Sequence, residues 1–281
     1  MICCKLLRYD LRHGLLRYGL VAVPLLFAAT CIPMYSMSKV FAAFDGSLST
    51  PTVTDYVLYC FRGTEPIREL HSLEQLQLPL LWLSCMGLCL LLNLLYPLQD
   101  ISHFGQQVIV RSGSRVSWWA SKCIWNIISC ALYYALALSS IILMALLLGA
   151  GFSLAPSADF IEVSFSSVEP TAMPSQTDIL RCILVQPLLT LCTLSLLEML
   201  LSLFIKPIFS LLCSMTILIA SVYFFSPFLL GNYAMLLRSA LFCTDGLTFK
   251  SGMWILPVFS IAACLAGAVF FKSWDILNID Q

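Results

Sequence analysis

The chain has 281 residues, 60% of them hydrophobic and 11% charged, with 15 basic and 15 acidic side chains and a formal net charge of zero. A soluble domain carries roughly a quarter of its residues as charges, so this composition excludes an ordinary water-soluble fold. The balanced charge gives no bulk attraction to nucleic acid, and nucleic acid is not expected as a partner.

Six stretches are long and apolar enough to cross a hydrocarbon layer as helices. They run from Leu15 to Met37, Leu76 to Leu98, Trp118 to Ala150, Ile179 to Ile205, Ile208 to Leu230, and Gly252 to Phe271. The expected fold is therefore all-α, a polytopic integral membrane protein with six transmembrane helices. Runs such as Leu90 to Leu92 do not alternate, which argues against a β-barrel. Pro24 and Pro33 predict kinks rather than breaks, because neighbouring helices can satisfy the freed carbonyls in a membrane. The domain reading is an interfacial helix over 1–14, a six-helix domain over 15–271 and a tail over 272–281. Its inner loop is 99–122, and its outer loops are 38–75, 151–178 and 231–251.

Lysine and arginine set the orientation. With both termini cytoplasmic, Lys5, Arg8, Arg12, Arg17, Arg111, Arg115, Lys122, Lys206 and Lys272 fall inside. The alternative, a secretory signal ending near Phe41-Ala42-Ala43, leaves the remaining basic loops on opposite sides. Most of the 13 cysteines lie in predicted spans, where they act as small apolar side chains. Cys60 and Cys243 are placed well outside the spans. Two unpaired thiols is the simpler reading of them, with a bridge left open.

No phosphate-cradling loop, zinc-protease motif or nucleophile elbow occurs, and the three histidines are scattered. Catalysis by this chain is not expected, nor is a bound metal or cofactor. Three features remain. Lys5, Arg8 and Arg12 share one face of a first helix while Ile2, Leu6 and Tyr9 share another, the pattern of a helix lying on an anionic membrane surface. Asp100, Arg111, Gly113, Ser114 and Arg115 belong to the longest inner loop, where Gly113 permits a tight bend ahead of Trp118 and Trp119. Glu198 is the one acid inside a span, expensive there and hence a functional candidate. The second outer loop adds Asp159, Glu162 and Glu169 and no basic residue, so it creates a local negative potential.

The whole chain resembles bacterial ATP-binding cassette (ABC) exporter permeases of the type-2 class. The segments that carry the resemblance are Arg111 to Lys122, Ser202 to Pro207, Ser226 to Ser239 and Phe271 to Asp275. It implies a cytoplasmic ABC ATPase subunit as partner, which would bind the ATP and magnesium. It also implies a second permease, making a homodimer or heterodimer, and a bacterial plasma-membrane location. In that family the inner loop couples to the ATPase, and here that role falls on Asp100, Arg111, Gly113, Ser114 and Arg115. Short elements that re-enter the outer face are expected over Tyr233 to Leu241. Cationic antimicrobial peptides are the substrate class consistent with the acidic outer loop. Two other readings stay open: a membrane sensor or immunity protein that binds a peptide outside, and an ion-coupled carrier built on Glu198.

Overall fold

The computed structural model describes residues 6–11, 21–45, 50–66, 78–100, 115–157, 159–161, 175–243 and 245–273. The described residues are helical apart from connections and two isolated backbone bridges. The helices are α1 (6–11), α2 (Ala22–Asp45), α3 (Val53–Phe61), α4 (Leu80–Asp100) and α5 (Arg115–Leu147). They continue with α6 (Gln176–Leu201), α7 (Pro207–Tyr223) and α8 (Phe249–Ser273). Five of them, α2, α4, α5, α6 and α8, are long and apolar enough to cross a membrane, whereas α7 has 17 residues and falls just short of that length. The expected fifth span, Ile208 to Leu230, is thus cut back. The backbone turns extended at Phe224, and the next apolar residues fold back into the bundle.

The exterior and interior are distributed as in a multi-pass membrane protein. Leu25, Leu143, Phe209, Leu212, Trp254, Val258, Ile261 and Leu265 are all more than half exposed, the last four forming a stripe along α8 at helical spacing. Asn93, Asn126, Ser195, Gln186 and Glu198 are buried. Water would drive the first group inward, whereas lipid accepts it and leaves polar groups to find partners between helices.

Contacts at the helix ends define two faces. Tyr96 on α4, Ser121 and Lys122 on α5, and Asp10 on α1 meet at one end, where Arg115 also donates to the Lys272 carbonyl at 3.4 Å. We call this the amino-terminal face. At the opposite, distal face, Thr52 pairs with Gly151, and Val53 N–H donates to the Gly151 carbonyl at 3.1 Å.

The connection between α2 and α4 is more than a surface loop. A capping box starts α3: Asp55 N–H donates to Thr52 Oγ1 at 3.3 Å, and Thr52 N–H to Asp55 Oδ2 at 2.8 Å. The helix then descends from the distal face into the bundle, buried on every side except at Tyr59. Its last residue, Phe61, packs its ring 6.2 Å from Phe27 and 5.4 Å from Tyr134. Tyr134 lies about 20 Å along the axis from the distal end of α5, so α3 reaches deep into the core. Cys60, expected to be exposed, is 7% accessible and lies 2.7 Å from Thr30 Oγ1. Cys60 and Cys243 are both free thiols, so the bridge between them is not formed.

Candidate functional site

A buried ion pair gathers the amino-terminal face. Lys122 Nζ lies 2.5 Å from Asp10 Oδ1, with both side chains almost fully excluded from solvent. Asp10 also accepts from Tyr96 Oη at 2.7 Å and from Ser121 Oγ at 2.6 Å. The ammonium sits 4.5 Å from the Tyr96 ring centroid and 5.1 Å from that of Trp118. This geometry answers the desolvation problem of a buried pair: the carboxylate has three donors, and the cation has a counter-charge and two π faces. It pins α1 across the ends of α4 and α5. Arg8 is exposed on α1 while Leu6 packs against the Trp118–Trp119 cluster, as the amphipathic pattern predicts for these two positions. Lys5 and Arg12 lie outside the described residues.

Beyond the ion pair a polar seam continues between the helices. Ser129 Oγ donates to Asn93 Oδ1 at 2.6 Å, and Asn93 Nδ2 reaches Cys130 Sγ at 2.9 Å. Asn126 Nδ2 donates to Ser195 Oγ at 2.9 Å, linking α5 to α6. One turn from Ser195, Glu198 is fully buried and neither carboxyl oxygen has a hydrogen-bond partner among the described residues. Ser210 Oγ, on α7, donates instead to the Glu198 backbone carbonyl at 2.6 Å.

The distal half is filled by two infolded segments. The first is α3 with residues 62–66. The second consists of the buried 3-10 turns Leu230–Ala234 and Leu236–Arg238, which overlap the stretch Tyr233 to Leu241. The two meet backbone to backbone, Leu237 N–H donating to the Arg62 carbonyl at 3.1 Å. Gly63 makes the approach possible: its φ is +70°, and a Cβ there would lie 2.5 Å from Met235 Cγ.

Arg238 locks this junction. Its guanidinium is fully buried and donates to the carbonyls of Thr64 at 3.0 Å, Glu65 at 3.3 Å and Val222 at 2.6 Å, and to Ser221 and Asn232 Oδ1. The Ser221 and Val222 carbonyls belong to the last turn of α7, where the helix dipole favours a cation. A planar fork with five N–H donors suits such a cage, and a lysine could not serve it.

Arg115 is the first residue of α5 rather than part of a loop. Asp100 closes α4, and Arg111, Gly113 and Ser114 lie outside the described residues, as do Glu162 and Glu169. Asp159 is half-buried at the start of a short helical stretch over 159–161. No group of three or more histidine, cysteine, aspartate or glutamate side chains able to hold a metal ion occurs among the described residues.

Two functional candidates escaped the sequence. Asp10 lies four residues after Leu6, so a helix puts it on the apolar face. A carboxylate on that face calls for a buried cation, and Lys122, about two turns into α5, was available. Arg238 offered no such signal, since its partners are almost all backbone carbonyls. No protein-family model, curated protein or solved structure matches the chain.

Proposed function

We propose that this chain is the membrane subunit of an ATP-driven exporter, with six spans, both termini cytoplasmic and a soluble ATPase as partner. The observation that carries the reading is the shared grip on Asp10. Residues 101–114 join the end of α4, which supplies Tyr96, to the start of α5, which supplies Ser121 and Lys122. A partner pressing on that connection moves two helix ends that hold one carboxylate, and α1 moves with them. The push therefore reaches α2, α4 and α5 together.

On this reading α7 is the short fifth span, and the amino-terminal face is the cytoplasmic one of a bacterial plasma membrane. The exporter works as a pair of permeases, identical or related, and its substrate is a cationic amphipathic compound drawn to the acidic segment that carries Asp159, Glu162 and Glu169. The infolded segments close the distal half in the described state, so release there requires α3 and residues 230–238 to part. ATP and magnesium belong to the partner, and this chain supplies coupling and path.

The test is affinity purification of the full chain from its native membrane in mild detergent. An ATPase subunit should co-purify, and charge reversal at Arg111 and Arg115 together should remove it without loss of the membrane chain. Purification without any ATPase overturns the exporter reading.

A further inference from the structure

The polar seam carries an acid that no described residue satisfies, and of the buried polar groups left without a partner among the described residues it is the carboxyl. Glu198 is fully buried, with both carboxyl oxygens unpartnered. Two hydroxyls on the adjoining turns bond elsewhere: Ser195 Oγ accepts from Asn126 Nδ2, and Ser210 Oγ donates to the Glu198 backbone carbonyl. An ionised carboxylate in such a place has neither water nor a counter-charge, and a buried acid escapes that penalty by taking up a proton.

The surrounding charges are few. The Asn126–Ser195 bond sets the antiparallel register of α5 and α6. One turn nearer the amino-terminal face, α5 carries Lys122 and α6 carries Glu198, at the same level. Lys122 is held by Asp10 at 2.5 Å. Lys206, just past the end of α6, is exposed. The other titratable groups on α4, α5, α7 and α8 are thiols (Cys85, Cys89, Cys123, Cys130, Cys213 and Cys264), tyrosines (Tyr96 donating to Asp10, Tyr133 and Tyr134 each donating to a backbone carbonyl, and Tyr223), and Asp100, Arg115, Lys250 and Lys272 at helix ends. A metal cation would need several oxygen donors converging on this carboxyl, whereas a proton needs one oxygen.

We propose that Glu198 is a proton-binding site in the interior of the bundle, exchanging its proton with the amino-terminal face past the Asp10–Lys122 cluster. That face is the nearer one, and the route to it carries Ser121, Tyr96 and Asp10. The distal route is filled by α3 and residues 230–238. The site does not depend on the exporter reading, because it requires no ATPase.

A protonated acid here is also a modification site for a hydrophobic carbodiimide. The carboxyl O–H adds across one C=N bond: oxygen bonds to the carbodiimide carbon, and the proton goes to nitrogen. An acyl shift then yields a stable N-acylurea, with no oxidant and no leaving group. An ionised, water-exposed carboxylate does not take this course.

The experiment uses the purified full chain in lipid vesicles. At neutral pH the infrared spectrum should show the carbonyl stretch of a protonated carboxylic acid, absent from Glu198→Gln and shifted after transfer of the wild type to heavy water. Dicyclohexylcarbodiimide should modify Glu198, read by peptide mass mapping of the wild type, which stands even if the variant does not fold. A wild-type spectrum without the band, or a carbodiimide map without Glu198, overturns the assignment. A band that fails to shift overnight in heavy water overturns the exchange with the amino-terminal face.

Discussion

Asp10 and Lys122 are 112 positions apart in the chain and 2.5 Å apart in space, buried together where α1, α4 and α5 meet. Removing one partner leaves the other charge without compensation. Asp10→Asn should therefore destabilise the bundle by about 3–5 kcal/mol, the range for a broken buried pair. The double variant Asp10→Asn with Lys122→Met should recover part of that loss. Thermal unfolding in detergent, run as a double-mutant cycle, measures the coupling. Additive losses in the cycle would show that the pair contributes nothing beyond its separate side chains.

Arg238 should resist even conservative exchange. Arg238→Lys keeps the charge but cannot span Thr64, Glu65, Ser221, Val222 and Asn232 at once. The two infolded segments should loosen, with Cys60 as the reporter. In the wild type Cys60 should be protected from a thiol reagent while the half-exposed Cys243 reacts; in Arg238→Lys, Cys60 should become reactive. Equal protection of Cys60 in both proteins would mean that Arg238 is not the lock.

Gly63 separates two causes of strain. Gly63→Ala places a side chain at φ +70°, costing roughly 1–2 kcal/mol from backbone alone, and sets its Cβ 2.5 Å from Met235 Cγ. Pairing it with Met235→Ala should relieve the steric part and leave the backbone part, so the combined variant should be more stable than the sum of the two. Strict additivity in melting measurements would remove the contact as a cause.

Asp55 has a pH signature opposite to that of most structural carboxylates. Burial raises its carboxyl above the ordinary aspartate value, outweighing the hydrogen bonds from Thr52 and Ser157 that lower it. The folded chain thus binds this proton more tightly than the unfolded chain, so the contribution to stability is greatest at low pH. It fades as pH rises from the unfolded value, about 3.9, through the raised folded one. The melting temperature of wild type relative to Asp55→Asn should be more favourable near pH ~4 than near pH ~7. The reverse trend would show that the hydrogen bonds dominate.

Orientation is tested by impermeant thiol labelling of intact cells. Cys243 should react from outside, and a cysteine introduced at Ser112 should not. Labelling at position 112 would place the amino-terminal face outside and remove the coupling role proposed for that connection.

Residues that act through local pattern were legible in the chain. Long apolar runs demand helices, because backbone groups in lipid have no partner outside their own segment, and α4, α5, α6 and α8 appear within about four residues of the expected limits, whereas α2 runs on past the expected Met37 to Asp45. The Leu6 and Arg8 faces followed from helical spacing alone, as did the burial of the single intramembrane acid, Glu198. The tertiary structure alone decided what the apparent loops do. The segment 38–75 reads as an outer loop, yet it sends α3 down among α2, α4, α5 and α6, where Cys60 and Phe61 are buried. Arg238 reads as an outer basic residue and is the buried centre of a carbonyl cage. Asp10 and Lys122 read as separate boundary charges and are one ion pair. Periodicity reports which face of an element avoids water or lipid. Which distant element fills the space against that face depends on packing between segments remote in the chain, and no local spacing encodes it.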